Sequence, residues 1–182
     1  RAIGLKSDFA EAHNNLGIVL EKFGKFEQAE TSYKRAIGLK SDFAEAHNNL
    51  GIVLEKFGKF EQAETSYKQA IKLKPDYAEA HSNLGNTLKD LGKLEEAETS
   101  YKQAIKLKPD YAEAHSNLAN TLNKLGKLEE AEASYKQAIK LKPDFDIAKH
   151  HLAALTGETT DSAPRAYVED LFDNFASKFE SS

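Results

Sequence analysis

His13, His47, His81 and His115 stand 34 residues apart, and Asn15, Asn49, Asn83 and Asn117 keep the same interval. Imidazoles can hold a metal ion or move a proton, and carboxamides offer a donor and an acceptor side by side. A metal site needs several ligands within about 2 Å of one ion. Histidines a full interval apart lie too far from one another for that, and the adjacent His150 and His151 point in different directions if helical. The spaced histidines therefore read as packing residues at helix starts, with no metal and no cofactor expected. No Ser, His and Asp set converges and no glycine-rich phosphate loop exists, so these residues are not expected to form an enzyme.

The interval belongs to the whole chain. Residues 1–34 are identical to 35–68, and PDYAEAHSNL at 75–84 returns at 109–118. Such self-similarity marks an array in which each unit buries its apolar face only against its neighbours. Within 78–111, Ala80, Leu84, Gly85, Leu88 and Leu91 recur at helical spacing, and Ala97, Tyr101, Ala104, Ile105 and Leu107 do so again, which predicts two amphipathic helices per unit. Gly92 suits the left-handed end of the first helix. Glu95 and Glu96 favour the positive end of the second, and Pro109 stops it, with Asp110 able to cap the helix that follows. Gly17, Gly51 and Gly85, with Ala29, Ala63 and Ala97, supply small residues where helices approach closely. Tyr33, Tyr67, Tyr101 and Tyr135 fill the space between.

Composition narrows the partners. The net charge of −4 resides in the tail: 146–182 carries seven acids and three bases, whereas 44–77 carries five of each. Without a basic stripe, nucleic acid is not an expected partner. No apolar run is long enough to span a membrane and no signal-peptide pattern is present. The absence of cysteine excludes disulfides and thiolate metal sites, and is compatible with a cytoplasmic protein.

The pattern Leu84, Gly85, Ala97, Tyr101, Ala104 and Pro109, repeated four times, resembles the tetratricopeptide repeat family. His81 stands where that family prefers Trp, Ser41 replaces Pro, and Ala119 replaces Gly. The resemblance implies an all-α fold, a right-handed α-solenoid or superhelix of antiparallel helix pairs, with the first helix of each pair lining the concave surface. The expected organisation is the end of a preceding repeat at 1–6, repeats at 7–43, 44–77, 78–111 and 112–145, a capping helix at 146–156, a linker at 157–163 and an amphipathic tail helix at 164–180.

If Ala80, Leu84, Leu88 and Leu91 face the core, then Glu79, Ser82, Asn83, Asn86, Lys89 and Asp90 lie on the opposite, groove face. Asn is a mediocre helix former, so its recurrence there invites an explanation. One is a local structural hydrogen bond. The other is a ladder that pairs with the backbone of an extended peptide without reading its side chains; it resembles the concave asparagine ladder of the O-linked N-acetylglucosamine transferases. The candidate groove residues are Asn14, Asn15, Ile18, Asn48, Asn49, Ile52, Asn83, Asn86, Asn117 and Asn120. Ile18 and Ile52, standing where Asn86 and Asn120 stand later, make the N-terminal half more apolar. A two-carboxylate clamp is not expected, because its places hold Asn14, Asn48, Ser82 and Ser116. Lys22, Lys56 and Lys124 are offset by Glu21, Glu55 and Asp90.

The tail departs from the repeats. Val168, Leu171, Phe172, Phe175 and Phe179 share one face of a helix that must bury itself, either as a cap on the last repeat or in another role. The string APRAYVEDLFDNFASKFE is similar to the segment joining tetratricopeptide repeats to an S-adenosylmethionine-dependent methyltransferase domain in some bacterial proteins. Three functions follow as expectations: a scaffold binding a protein or peptide in the groove; a substrate-recruiting region of a larger transferase, methyl or glycosyl; and a module that self-associates through its repeat ends or tail helix.

Overall fold

A computed structural model describes residues 2–158, with side chains from Phe9 onward. The tail positions Val168, Leu171, Phe172, Phe175 and Phe179 lie outside the described residues. Nine helices and no strand are present among those described: α1 Ala2–Lys22, α2 Phe26–Leu39, α3 Ala44–Lys56, α4 Phe60–Leu73, α5 Ala78–Asp90, α6 Leu94–Leu107, α7 Ala112–Lys124, α8 Leu128–Leu141 and α9 Asp146–Thr156. The chain divides after Pro109 into two compact units. The first stacks the pairs α1/α2, α3/α4 and α5/α6, with α2 packed on α3 and α4 on α5; the second packs α7 on α8 and α8 on α9. This is an all-α helical-repeat solenoid.

Each pair is joined by a turn whose glycine is left-handed, with φ of 71° at Gly24, 67° at Gly58, 75° at Gly92 and 74° at Gly126. An L side chain is strained in that region and glycine is not. The N–H of the residue after each glycine closes the turn on a carbonyl of the preceding helix, as in Lys93 to Leu88 at 2.8 Å. The second helices end at Lys74, Lys108 and Lys142, with Pro75, Pro109 and Pro143 next in sequence. Asp110 does not cap α7 with its side chain; its carbonyl instead accepts the Ala112 N–H at 3.0 Å.

Within each pair the tyrosine ring seats on the small residue of the partner helix. A Cβ on Gly17, Gly51 or Gly85 would stand 2.5–2.6 Å from the ring of Tyr33, Tyr67 or Tyr101. Carbon atoms do not approach so closely, so hydrogen is the only substituent the spacing accepts. In the second unit Ala119 occupies this place and is buried in one cluster with Tyr135, Ala138 and Ala148.

The buried hydroxyl of each tyrosine must find an acceptor. Tyr33 donates to Glu21 Oε2 at 3.0 Å and Tyr67 to Glu55 Oε2 at 2.9 Å, whereas Tyr101 donates to Asn86 Oδ1 at 2.7 Å and Tyr135 to Asn120 Oδ1. Repeats with Ile18 or Ile52 carry the glutamate one turn on; repeats with Asn86 or Asn120 have Lys89 or Asn123 in that place. The exchange keeps these four hydroxyls satisfied. Glu55 also accepts a hydrogen bond from Thr87 of the next pair, and Thr87 is fully buried. Burial raises the Glu55 carboxyl above the ordinary glutamate range despite the two hydroxyl donors, and the neighbouring Asp90 charge adds to the rise. Burial likewise raises Tyr33, Tyr67, Tyr101 and Tyr135, the last to about 12.

Ion pairs also recur with the repeat: Lys59 to Glu30 at 3.3 Å and Lys93 to Glu64 at 2.8 Å tie successive pairs, while Lys74 to Glu45 at 3.2 Å and Lys142 to Glu113 at 3.2 Å tie the end of a pair's second helix to the start of its first. Their lysines are largely solvated, so each contributes at most about 1 kcal/mol. Registry is set chiefly by the apolar stack.

Two outcomes test this packing. Gly85→Ala should destabilise the chain by about 1–2 kcal/mol in chemical unfolding. The overpacking cost of about 1–3 kcal/mol exceeds the roughly 0.5–1 kcal/mol helix gain. Ala119→Gly should lose the helix term instead. For Glu55, a raised carboxyl means that the folded chain binds more protons than the unfolded one between the ordinary glutamate value and the raised one. Its contribution is therefore largest in acid and falls as pH rises through that window. Thermal melts of Glu55→Gln against the parent from pH 4 to pH 7 should show the variant gaining relative stability as pH increases.

Candidate functional site

In the first unit the leading helices of successive pairs touch one another, α1 with α3 and α3 with α5. Asn14 and Asn48 are buried, and each accepts a hydrogen bond from the next repeat: Asn49 Nδ2 donates to Asn14 Oδ1 at 3.1 Å, and Asn83 Nδ2 to Asn48 Oδ1 at 3.1 Å. A further bond of 3.5 Å runs from Asn48 Nδ2 to Asn49 Oδ1. Asn49 and Asn83 are half-buried, and Asn15 is exposed. The row is thus an inter-repeat chain of amides with one edge toward solvent. Each donating amide keeps a second N–H beyond the bond that anchors it.

The remaining candidates divide by the tyrosine arrangement. Ile18 and Ile52 are half-buried beside this row, while Asn86 and Asn120, also half-buried, hold the hydroxyls of Tyr101 and Tyr135. In the second unit Asn117 is half-buried, and its carbonyl accepts the Thr121 hydroxyl at 3.0 Å. Asn120 lines a cleft of about 440 Å³ with Asn123, Leu128, Tyr135, His151 and Leu155.

Some residues read as groove-facing are covered. Ser82 and its counterpart Ser116 are buried, as are Asn14 and Asn48 at the same repeat position. In the first unit this position sits where one leading helix meets the next, so its side chain serves the stack. Lys22, Lys56 and Lys124 are exposed. The histidines act at helix starts: His81 Nε2 lies 3.0 Å from the Pro75 carbonyl and His47 Nε2 3.2 Å from that of Ser41, so the ring ties the inter-pair loop to the helix after it. Among the described residues no group of acidic, histidine or cysteine side chains is placed to hold a metal ion, and no helix is long and apolar enough to cross a membrane.

Sequence reasoning missed the hydroxyl acceptors and the buried threonines Thr87 and Thr121. The signal was present in the repeat alignment, where Ile with Glu in two repeats gives way to Asn with Lys or Asn in the next two. Only the ring position explains why the two sites change together.

The profile described as TPR repeat matches residues 22–58, 56–92 and 85–126, and the tetratricopeptide repeat profile matches 112–145. No curated protein matched in a sequence comparison. Among solved structures the chain is similar to MamA, at 25% identity and TM-score 0.73 over 78% of this chain and 82% of that one. It is similar to an O-GlcNAc transferase mutant of Thermobaculum terrenum, at 26% identity and TM-score 0.70, over 74% of this chain but 26% of that one. A third likeness, at 27% identity and TM-score 0.65, is to the first repeat domain of Spaghetti (RPAP3) bound to the HSP90 peptide SRMEEVD, over 66% of this chain and 95% of that one. Helix pairs of one period, each locked by a tyrosine on a small residue, and profile matches from residue 22 to residue 145 lead to one conclusion: the chain belongs to the tetratricopeptide repeat family.

Proposed function

We propose that the chain is a protein-interaction scaffold that takes an extended peptide along its leading helices, with Asn15, Asn49 and Asn83 of the first unit pairing with the peptide backbone. Asn117 holds the same repeat position in the second unit. The observation that carries this reading is the anchoring of Asn49 and Asn83 on Asn14 and Asn48. Amides already held in place lose little freedom when a ligand arrives, which lowers the cost of binding. Backbone pairing by a row of amides gives affinity with loose sequence preference.

The likeness to a repeat domain bound to a peptide supports the class of partner. It does not carry over that peptide's acidic chemistry. The places a carboxylate clamp would use hold Asn14, Asn48, Ser82 and Ser116, which are uncharged and buried. Beside the row, Ile18 and Ile52 suit an apolar residue at one end of the ligand.

The test is capture from a random extended-peptide display library by the chain and by its Asn49→Ala/Asn83→Ala/Asn117→Ala variant. Each lost hydrogen bond should weaken binding by about 0.5–1.5 kcal/mol, or roughly 2- to 12-fold, and cost a similar amount of stability where an inter-repeat bond is lost. Helicity by circular dichroism should stay near that of the parent. Equal capture by both chains would return the asparagines to a purely structural role.

A further inference from the structure

A surface away from the asparagine row carries chemistry of its own. Between α4 and α6, with α5 beneath, runs a groove of about 320 Å³ lined by Lys68, Ile71, His81, Leu84, Thr99 and Gln103. Lys68 and Ile71 belong to α4, His81 and Leu84 to α5, and Thr99 and Gln103 to α6, so its walls and floor are whole helices inside the first unit. Leu84 is buried and Ile71 half-buried, which makes the floor apolar. The polar groups beside it are engaged within the fold: Thr99 donates to the Glu95 carbonyl at 3.0 Å, and His81 Nε2 lies 3.0 Å from that of Pro75. An apolar side chain entering there leaves no donor unpaired.

The two ends of the groove differ in charge. At one end Lys93, just before α6, pairs with Glu64 of α4 at 2.8 Å, Lys68 holds the other oxygen of that carboxylate, and Glu61 and Glu96 add their charge around Lys93. Cations and acids balance there. Toward the other end the charge has one sign: 65–75 holds Lys68, Lys72 and Lys74 with no acid, and 99–109 holds Lys102, Lys106 and Lys108 with none. Lys74 and Lys108 are paired with Glu45 and Glu79, and Lys102 with Glu98. Lys72 and Lys106 are exposed and make no ion pair among the described residues. Lys72 follows Lys68 by four residues and Lys106 follows Gln103 by three, so each stands on the groove side of its helix. Lysine near a helix end complements the dipole, but that role needs no apolar floor beside it. Gly38 stands at the repeat position of Lys72, so in the first unit only the α4–α6 groove has this lysine on both walls.

We propose that the α4–α6 groove is a second docking surface, for an acidic segment of a partner protein. The segment inserts one large apolar side chain onto Ile71 and Leu84 and sets carboxylates against Lys72 and Lys106. Charge complementarity gives the partner its sign, and the balanced end gives the segment its direction, with its carboxylates toward the C-terminal ends of α4 and α6. Both walls are second helices, which contribute nothing to the asparagine row, so the two surfaces can be tested apart.

Selection from a random peptide display library on the Asn49→Ala/Asn83→Ala/Asn117→Ala chain, which lacks the asparagine row, isolates this surface. Enriched peptides should carry a large apolar residue flanked by Asp or Glu. Synthetic copies should bind roughly ten-fold more weakly to a chain that also carries Lys72→Glu/Lys106→Glu, and less tightly as ionic strength rises. Thr99→Trp, at an exposed position on the groove's edge, should block them as well. Circular dichroism checks that each variant keeps the helicity of its parent. No enrichment over the bare support would overturn the proposal, as would peptides without an acidic bias or binding that the lysine reversals leave unchanged. Peptides that need acid but no apolar residue would mark simple polyanion binding and overturn it too. A parent chain that sediments as a dimer, and as a monomer once Lys72 and Lys106 are reversed, would assign the groove to a second copy instead.

Discussion

The seating of a tyrosine ring on a residue with little or no side chain is the contact from which the rest of this molecule follows. Tyr33, Tyr67 and Tyr101 sit where Gly17, Gly51 and Gly85 leave only a hydrogen, and Tyr135 shares a cluster with Ala119. This sets the distance between the helices of a pair, and that distance sets which faces remain for the next pair. Leu84 and Leu88 are buried in the resulting stack. The ring brings a polar cost as well. Its hydroxyl is carried into the stack, and the acceptor it requires takes one residue per repeat out of the pool available to a ligand.

That requirement shapes the candidate groove. In the first two repeats the acceptor is a carboxylate, which leaves Ile18 and Ile52 as neighbours of the asparagine row. In the next two it is the amide of Asn86 or Asn120. A surface that looks merely variable across the repeats is therefore two solutions to one hydrogen-bonding problem. Glu55 shows its expense: the carboxylate gains two hydroxyl donors yet is still raised by desolvation. The asparagines follow a related logic. Asn14 and Asn48 are consumed by the stack, and in being consumed they fix Asn49 and Asn83 at its edge. A buried amide and one at the solvent edge are thus successive links of one chain of hydrogen bonds.

Much of the fold was legible without coordinates. The helix pairs, the left-handed glycine in each turn and the packing role of the tyrosines all follow from period and residue type, because those features are local or are repeated at a fixed interval. The site was less legible. Helical periodicity put Ser82 on the groove face, yet it is buried, as is its counterpart Ser116 in the second unit. Periodicity ranks faces of a single helix and is blind to what packs against them. Asp110 as a cap was the same kind of error, since a backbone carbonyl did the work assigned to a side chain.

The sharpest separation comes from residues 2–22 and 36–56, identical in sequence and different in form. Sequence by itself determined that these residues are strongly helical, that Leu16 and Leu50 lie on an apolar face, and that no proline breaks the junction as Pro75 and Pro109 do later. It did not determine whether Ser and Asp at that junction turn or continue. In α1 they continue. A turn forms at Ser41 and Asp42 because α2 can then fold back on α3 and bury Phe43, Ala46, Leu50 and Val53, a gain that exists only when the two helices are brought together.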